Sequence, residues 1–195
     1  MNFIAHIHLS GTDAPLLVGN YIADLIRHKD VAILTDDIKA GVLLHRHIDT
    51  YTDNHVINKK MRSALYPRHR KYAAVLLDIY YDYFLIRHWE SFGNRTFDET
   101  CEFAYHSLAD YSSLLPETLQ ARIQNLLTKR WLGDAYGSIE GLEKTFYFLK
   151  KRMSKPELIE SAIITLTKMD NELESAFLDF YPQLIKEVGA FKISQ

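Results

Sequence analysis

Between Tyr72 and Trp89 the chain reads YAAVLLDIYYDYFLIRHW, apolar on nearly every side, so a helix made of it has almost no face to offer water. In a soluble protein such a helix must be enclosed by its neighbours. Asp78 and Asp82 nonetheless sit in its middle, four apart and therefore on one face. Buried carboxylates are costly unless a cation meets them, and the nearest cations in sequence, Arg70, Lys71 and Arg87, lie toward the ends of the stretch. A bound metal ion is the economical counter-charge.

A second stretch, AGVLLHRHIDTYTDN from Ala40 to Asn54, carries a row that starts apolar and turns acidic: Ile38, Val42, His45, Asp49 and Asp53. His45 with Asp49 offers a nitrogen and an oxygen ligand on one helical face. Asp78 and Asp82 offer two carboxylates from another, and Asp24 joins from a third. Mixed His and Asp donors suit manganese, iron or zinc better than calcium, for which oxygen-only sites are usual. Such an ion lowers the pKa of a bound water and holds a phosphoryl oxygen, the two needs of hydrolysis at phosphorus. The expected ligands are Asp24, His45, Asp49 and Asp78. Asp82 is either a further ligand or the group that orients the attacking water. Arg46, turned about 100° from His45, is the candidate to neutralise a substrate phosphate. His6 and His8 would share a face of an extended segment as additional ligands, and His88 would support the site from behind. His47 points away from His45; His28, His55, His69 and His106 are given no role, and Asp36 and Asp53 are read as surface residues.

The remaining pattern is helical. Alternation over Met1 to Gly11 predicts a brief extended lead-in, and Asp13 with Pro15 starts a helix to about His28. Asp36 or Asp37 caps the next helix, to about Asp53, and a shorter one stops near Tyr66 ahead of Pro67. The buried helix follows, from about Arg68 to Glu90. Thr96 with Glu99 forms a capping box for Phe97 to Tyr111, Pro116 opens a helix closing near Gly133, and Ser138 starts another to Lys151. Ser154, Pro156 and Glu157 begin a last helix extending past Leu178, kinked or restarted at Pro182. The predicted fold is an all-α, compact single-domain helical bundle over residues 1–195, a size that 47% hydrophobic content suits.

Net charge is −2, so no global basic field points to nucleic acid. No segment reaches the ~20 apolar residues of a membrane span. Cys101 is the only cysteine, which excludes an internal disulfide and fits a cytoplasmic setting. Between Asn54 and Leu77 there is no acid, while Lys59, Lys60, Arg62, Arg68, Arg70 and Lys71 crowd the segment. That run fits an acidic protein partner better than nucleic acid, since aromatic interleaving is thin.

The residues also resemble a known family, the acyl carrier protein phosphodiesterases. The resemblance rests on Asn2-Phe3 with Ala5-His6 and His8-Leu9, Gly19-Asn20 with Asp24, Gly41 to Asn54, Leu77-Asp78 with Asp82, Phe84-Leu85 with Arg87-His88-Trp89, and Phe180-Tyr181-Pro182. It implies an all-α fold distantly similar to the HD phosphohydrolases, dependence on manganese, and acyl carrier protein as substrate. The implied reaction releases 4'-phosphopantetheine from the holo carrier and leaves the apo form. The chain lacks the adjacent His-Asp pair of HD enzymes, so His45 with Asp49 would stand in for it. Two rivals are an HD-type hydrolase of another phosphate ester or nucleotide, and a non-catalytic bundle that binds an acidic protein.

Overall fold

A computed structural model describes residues 1–193, and every regular element among them is helical. The apolar stretch forms α5 (Ala73–Arg87), preceded by a single 3-10 turn (Arg70–Tyr72). Leu76, Tyr80, Tyr81, Phe84 and Leu85 on it are fully buried. Enclosure comes from α1 (Phe3–Ser10), α4 (Val56–His69) and α12 (Asp170–Ile193), all packed on α5. Phe177 and Phe180 of α12 pack on Tyr81 and Phe84 of α5, Tyr81 lying 5.8 Å from Phe180 between ring centroids, and Tyr181 stacks on Phe177 behind them. These rings are the aromatic centre of the core.

The chain opens on a helix and not on the expected extended segment. Phe3, Ile4 and Ile7 satisfy helical spacing as well as alternation, and a distant residue decides between them. The Asp82 carboxylate accepts the backbone N–H groups of Ile4 (2.8 Å) and Ala5 (3.2 Å), donors that the first turn of a helix leaves unpaired. Here the buried aspartate finds its use.

Asp13 caps α2 (Ala14–Ile22) by accepting from Leu16 N at 3.0 Å. The helix ends well before His28, so Asp24 stands in the following turn, ahead of a 3-10 segment (His28–Ile33). Thr35 precedes α3 (Asp36–Asn54), which packs against α2 through Gly19 and Gly41. A Cβ on Gly19 would lie 1.9 Å from Ile38 O, and one on Gly41 2.2 Å from Leu16 O. Only glycines permit this approach, and it brings the residue after Gly19 against the middle of α3.

α4 continues through Pro67, beyond the stop predicted at Tyr66. Pro67 and Ser63 are both exposed, so the Ser63 carbonyl that proline cannot satisfy turns to water at little cost. After the short α6 (Trp89–Phe92), the Thr96–Glu99 capping box starts α7 (Phe97–Tyr111) as expected. α8 (Glu117–Lys129) follows Pro116, and a separate short α9 (Leu132–Tyr136) passes through Gly133. Ser138 caps α10 (Ile139–Lys150) through Gly141 N at 3.0 Å.

Pro156 opens only a 3-10 turn (Pro156–Ile159), and α11 (Ala162–Lys168) and α12 replace the single long helix expected there. Two carbonyls on this stretch are engaged by distant side chains: Leu158 O accepts from His69 Nδ1 at 2.7 Å, and Ala162 O from the Tyr80 hydroxyl at 2.8 Å. Pro182 is taken into α12, which neither stops nor restarts there. Among the described residues no helix is long and apolar enough to cross a membrane.

Candidate metal centre

Where α1, α2 and α3 meet, the imidazoles of His6 and His45 stack face to face, 3.9 Å between centroids and 14° from parallel. Both side chains are almost fully buried. Each uses Nδ1 on the same residue, Asn20, itself fully buried. The Asn20 side-chain amide nitrogen donates to His6 O (3.0 Å) and Ser10 Oγ (2.9 Å), which turns its Oδ1 toward His6 Nδ1 at 2.7 Å. His6 must therefore donate from Nδ1. His45 Nδ1 lies 2.8 Å from the Asn20 backbone carbonyl, an obligate acceptor, and donates likewise. In the neutral form of either ring the lone pair then falls on Nε2.

Both Nε2 atoms are buried and make no hydrogen bond. They do have carboxylates close by: Asp49 Oδ1 is 3.3 Å from His6 Nε2, Asp49 Oδ2 is 3.0 Å from His45 Nε2, and Asp24 Oδ1 is 3.2 Å from the latter. The contacts are ion-pair distances without hydrogen-bond alignment. Two lone pairs and a carboxylate converge, with His6, His45 and Asp49 offering ligand atoms all within 4.8 Å of one another. Orphaned buried nitrogens facing a carboxylate are what a divalent ion would satisfy, so the donor set fits a metal.

Charge in the cluster follows from this crowding. Burial acts to raise the Asp49 carboxyl, but its pairing with His45 and His6 and the nearby Met1 ammonium hold it well below the usual carboxylate range. Burial opposes a proton on His45, yet Asp24 and Asp49 carry it up to about 9. His6 goes the other way, pushed down to about 4 by burial and by His45, with Asp49 pulling against them. Without a metal the proton on His45 balances part of the acidic charge, and a metal ion would take its place.

Other predicted residues fall around this centre. Asp24 is largely exposed and lies beside His45. Asp78 is a third exposed and sits 3.2 Å from the Met1 amino group, which is also 3.5 Å from Asp49. Burial opposes charge on that amino group too, but Asp78 and Asp49 carry it up to about 10. Burial pushes the Asp82 carboxyl up to about 7 against the pull of the Ile4 and Ala5 N–H groups. Asp78 thus meets the Met1 ammonium and Asp82 two backbone N–H donors, partners far from them in sequence, where a metal was expected. Arg46 is exposed and has no hydrogen-bond or ion-pair partner among the described residues.

His8 does not share a face with His6, because helix and strand differ in period. It lies 2.9 Å from Phe92 O through Nε2, while Nδ1 faces the Tyr181 hydroxyl at 2.8 Å. His88 joins Glu174 (2.8 Å) in a network with Arg87. His47 pairs with Glu187 at 3.0 Å, and His69 is fully buried. Asp53 is exposed and accepts from Arg62 at 2.8 Å. Lys59, Lys60, Arg68, Arg70 and Lys71 are exposed on α4 and the turn after it. Asn20 was not singled out chemically in the sequence; its place beside the Gly19–Gly41 contact is visible only once the helices are packed.

A family model described as acyl carrier protein phosphodiesterase matches residues 1–184 of the chain. Curated relatives of that name include one from Yersinia pestis, 27% identical over 188 residues that cover 96% of this chain and 97% of the relative. Another from Klebsiella pneumoniae is 29% identical over 187 residues (95% and 96%), and one from Escherichia coli 27% over 192 residues (97% and 98%). No solved structure matches the chain.

Proposed function

The chain belongs to the acyl carrier protein phosphodiesterase family, and on that premise we propose that it is a metal-dependent phosphodiesterase acting on holo acyl carrier protein. The products are apo carrier and 4'-phosphopantetheine. The observation that carries the reading is the pair of unpartnered Nε2 atoms on His6 and His45 facing Asp49. In this proposal those three residues hold the ion, Asp24 completes its surroundings, and manganese is the metal. Bound there, the ion would supply Lewis acidity toward phosphorus and a more acidic water.

The protein's own groups do the rest. Asn20 holds both imidazoles in the tautomer that presents Nε2, as partners of metal-ligating histidines commonly do. Asp82 acts through α1: with both oxygens on Ile4 and Ala5 N–H, it fixes the helix that carries His6. Asp78 balances the amino group beside Asp49. Arg46, one residue from His45 and free of partners among the described residues, holds the substrate phosphate. The basic face of α4, from Lys59 to Lys71, receives the carrier, since complementary charge guides encounter and register. Water adds to phosphorus, the bond to the carrier's serine oxygen breaks, and that oxygen takes up a proton.

The test is to incubate holo carrier with the protein and Mn²⁺ and to weigh the carrier by mass spectrometry. Loss of the prosthetic arm, abolished by chelator and by His45→Gln, is the expected result. A carrier of unchanged mass, alongside turnover of a nucleotide or another phosphate ester, would move the activity to a different substrate.

A further inference from the structure

Among the described residues Arg70 is one of two non-glycine residues at positive φ. It follows α4 at φ 48° and ψ −126°, a region that glycine enters freely and a side chain with a Cβ does not. Arg130, also at positive φ, lies in the ordinary left-handed well that ends many helices (φ 47°, ψ 43°), so the two are not alike. Among the described residues no hydrogen bond or ion pair holds the Arg70 side chain. Its guanidinium is exposed and, among the described residues, meets only the exposed Tyr66 ring, 5.5 Å from the centroid. The backbone of this tight turn is held by its own bonds, Arg70 N–H to Tyr66 O and Ala73 N–H to Arg70 O, but neither bond calls for a side chain at this position, so the cation there points to a role outside the fold.

The surface around Arg70 has a second half that is remote in sequence. The loop after α10, which carries Lys151, Arg152 and Lys155, is joined to the Arg70 turn. Lys71 Nζ donates to Ser154 Oγ at 2.8 Å, and the Lys155 N–H to the Tyr72 hydroxyl at 3.3 Å. On that side Lys151 lies 4.2 Å from the centroid of Tyr147, which with Phe148 is more than half exposed. The surface therefore holds three cation–aromatic units, Arg70 on Tyr66, Lys71 on Tyr72, and Lys151 on Tyr147 and Phe148. No acidic residue occurs from Lys59 to Lys71 or from Lys150 to Lys155. Aromatic and arginine side chains are what protein interfaces concentrate.

We propose that Arg70 and the Lys151–Lys155 loop together form a docking surface for an acidic face of the carrier protein, whose carboxylates meet the cations and whose apolar residues meet the exposed rings. This rests on the carrier being the partner, as proposed above, and extends the partner surface to a loop beyond the run of bases in α4. The strain at Arg70 is then the consequence of keeping a cation where glycine would fit the fold better.

The experiment uses the full chain and fluorescently labelled holo carrier, with binding read by anisotropy and stability by thermal melting. Arg70→Gly is expected to melt no lower than the wild type while its Kd rises about tenfold, the size of effect a cation in a charged interface supports. Lys151→Glu combined with Lys155→Glu should weaken binding at least as much and flatten its dependence on salt. Wild-type affinity in both proteins would overturn the docking surface while leaving the phosphodiesterase reading intact. A wild-type protein that cleaves the carrier yet loses nothing from the loop substitutions would confine docking to α4. Failure of the wild type to bind carrier at all would overturn both readings, and a lower melting point for Arg70→Gly would remove the strain that motivates the proposal.

Discussion

At the scale of single residues, Asn20 does the most with the least signal. Its side-chain oxygen and its backbone carbonyl each take one imidazole N–H, so one residue orients both histidines. Replacing it with alanine removes only the side-chain half of this arrangement, since the carbonyl that holds His45 survives. Asn20→Ala should therefore weaken Mn²⁺ binding through His6, by about 10- to 100-fold, the usual loss when the partner of a metal ligand is removed. Calorimetric titration with Mn²⁺ measures it, and circular dichroism checks the fold. In a cycle with His6→Ala the double variant should bind no worse than His6→Ala alone, because both changes remove the same contribution. Fully additive losses would show that Asn20 acts elsewhere. His45 and Asp49 were legible in the sequence because their spacing of four is a property of one helix. His6 was named only as an additional ligand and Asn20 only as part of a family motif, because their partners lie on other helices.

At the scale of elements, the instructive cases are those where a distant group redirected a local preference. Ser154, Pro156 and Glu157 are sound helix-start residues, yet a 3-10 turn forms there, with Leu158 O held by His69 from the end of α4. His69 accepts from the Thr165 hydroxyl on its other nitrogen at 2.8 Å, so it is tied to both sides of the break as the neutral ring. Burial, with Arg68 adding to it, lowers its pKa below the ordinary 6.5, although the bond to Leu158 O pulls the other way. The unfolded chain therefore takes up this proton before the folded one does. Its contribution to stability is complete above about pH 6.5 and is lost as pH falls from there through the lowered folded value. Urea midpoints measured at pH 7.5 and 5.5 should drop more in the wild type than in His69→Gln; equal drops would mean that His69 is not held neutral. The capping signals of α7 and α10 were read correctly because Thr96, Glu99 and Ser138 bond to N–H groups three residues away, where nothing distant competes.

At the scale of the whole molecule, the candidate metal centre joins α1, α2 and α3, so filling it should stabilise the entire fold. With free Mn²⁺ at 100 times its Kd the gain is about 2.7 kcal/mol. For a chain of this length each kcal/mol moves the melting temperature about 2–4 °C, so a rise of roughly 5–10 °C, reversed by chelator, is expected in differential scanning calorimetry. An unchanged melting temperature under saturating Mn²⁺ would count against the centre. What the sequence determined by itself was the helical character of the chain, the enclosure of α5 and the His45–Asp49 pairing, because hydrophobic period, capping and four-residue spacing are all carried within one segment. What only the tertiary structure decided was who meets whom. Asp82 found the start of α1 across 78 residues, and Asn20 found His45 across 25 and His6 across 14. Such meetings depend on how closely two glycines let α2 and α3 approach and on how a first turn is seated over a buried carboxylate. Packing fixes those distances, and a sequence read one segment at a time does not contain them.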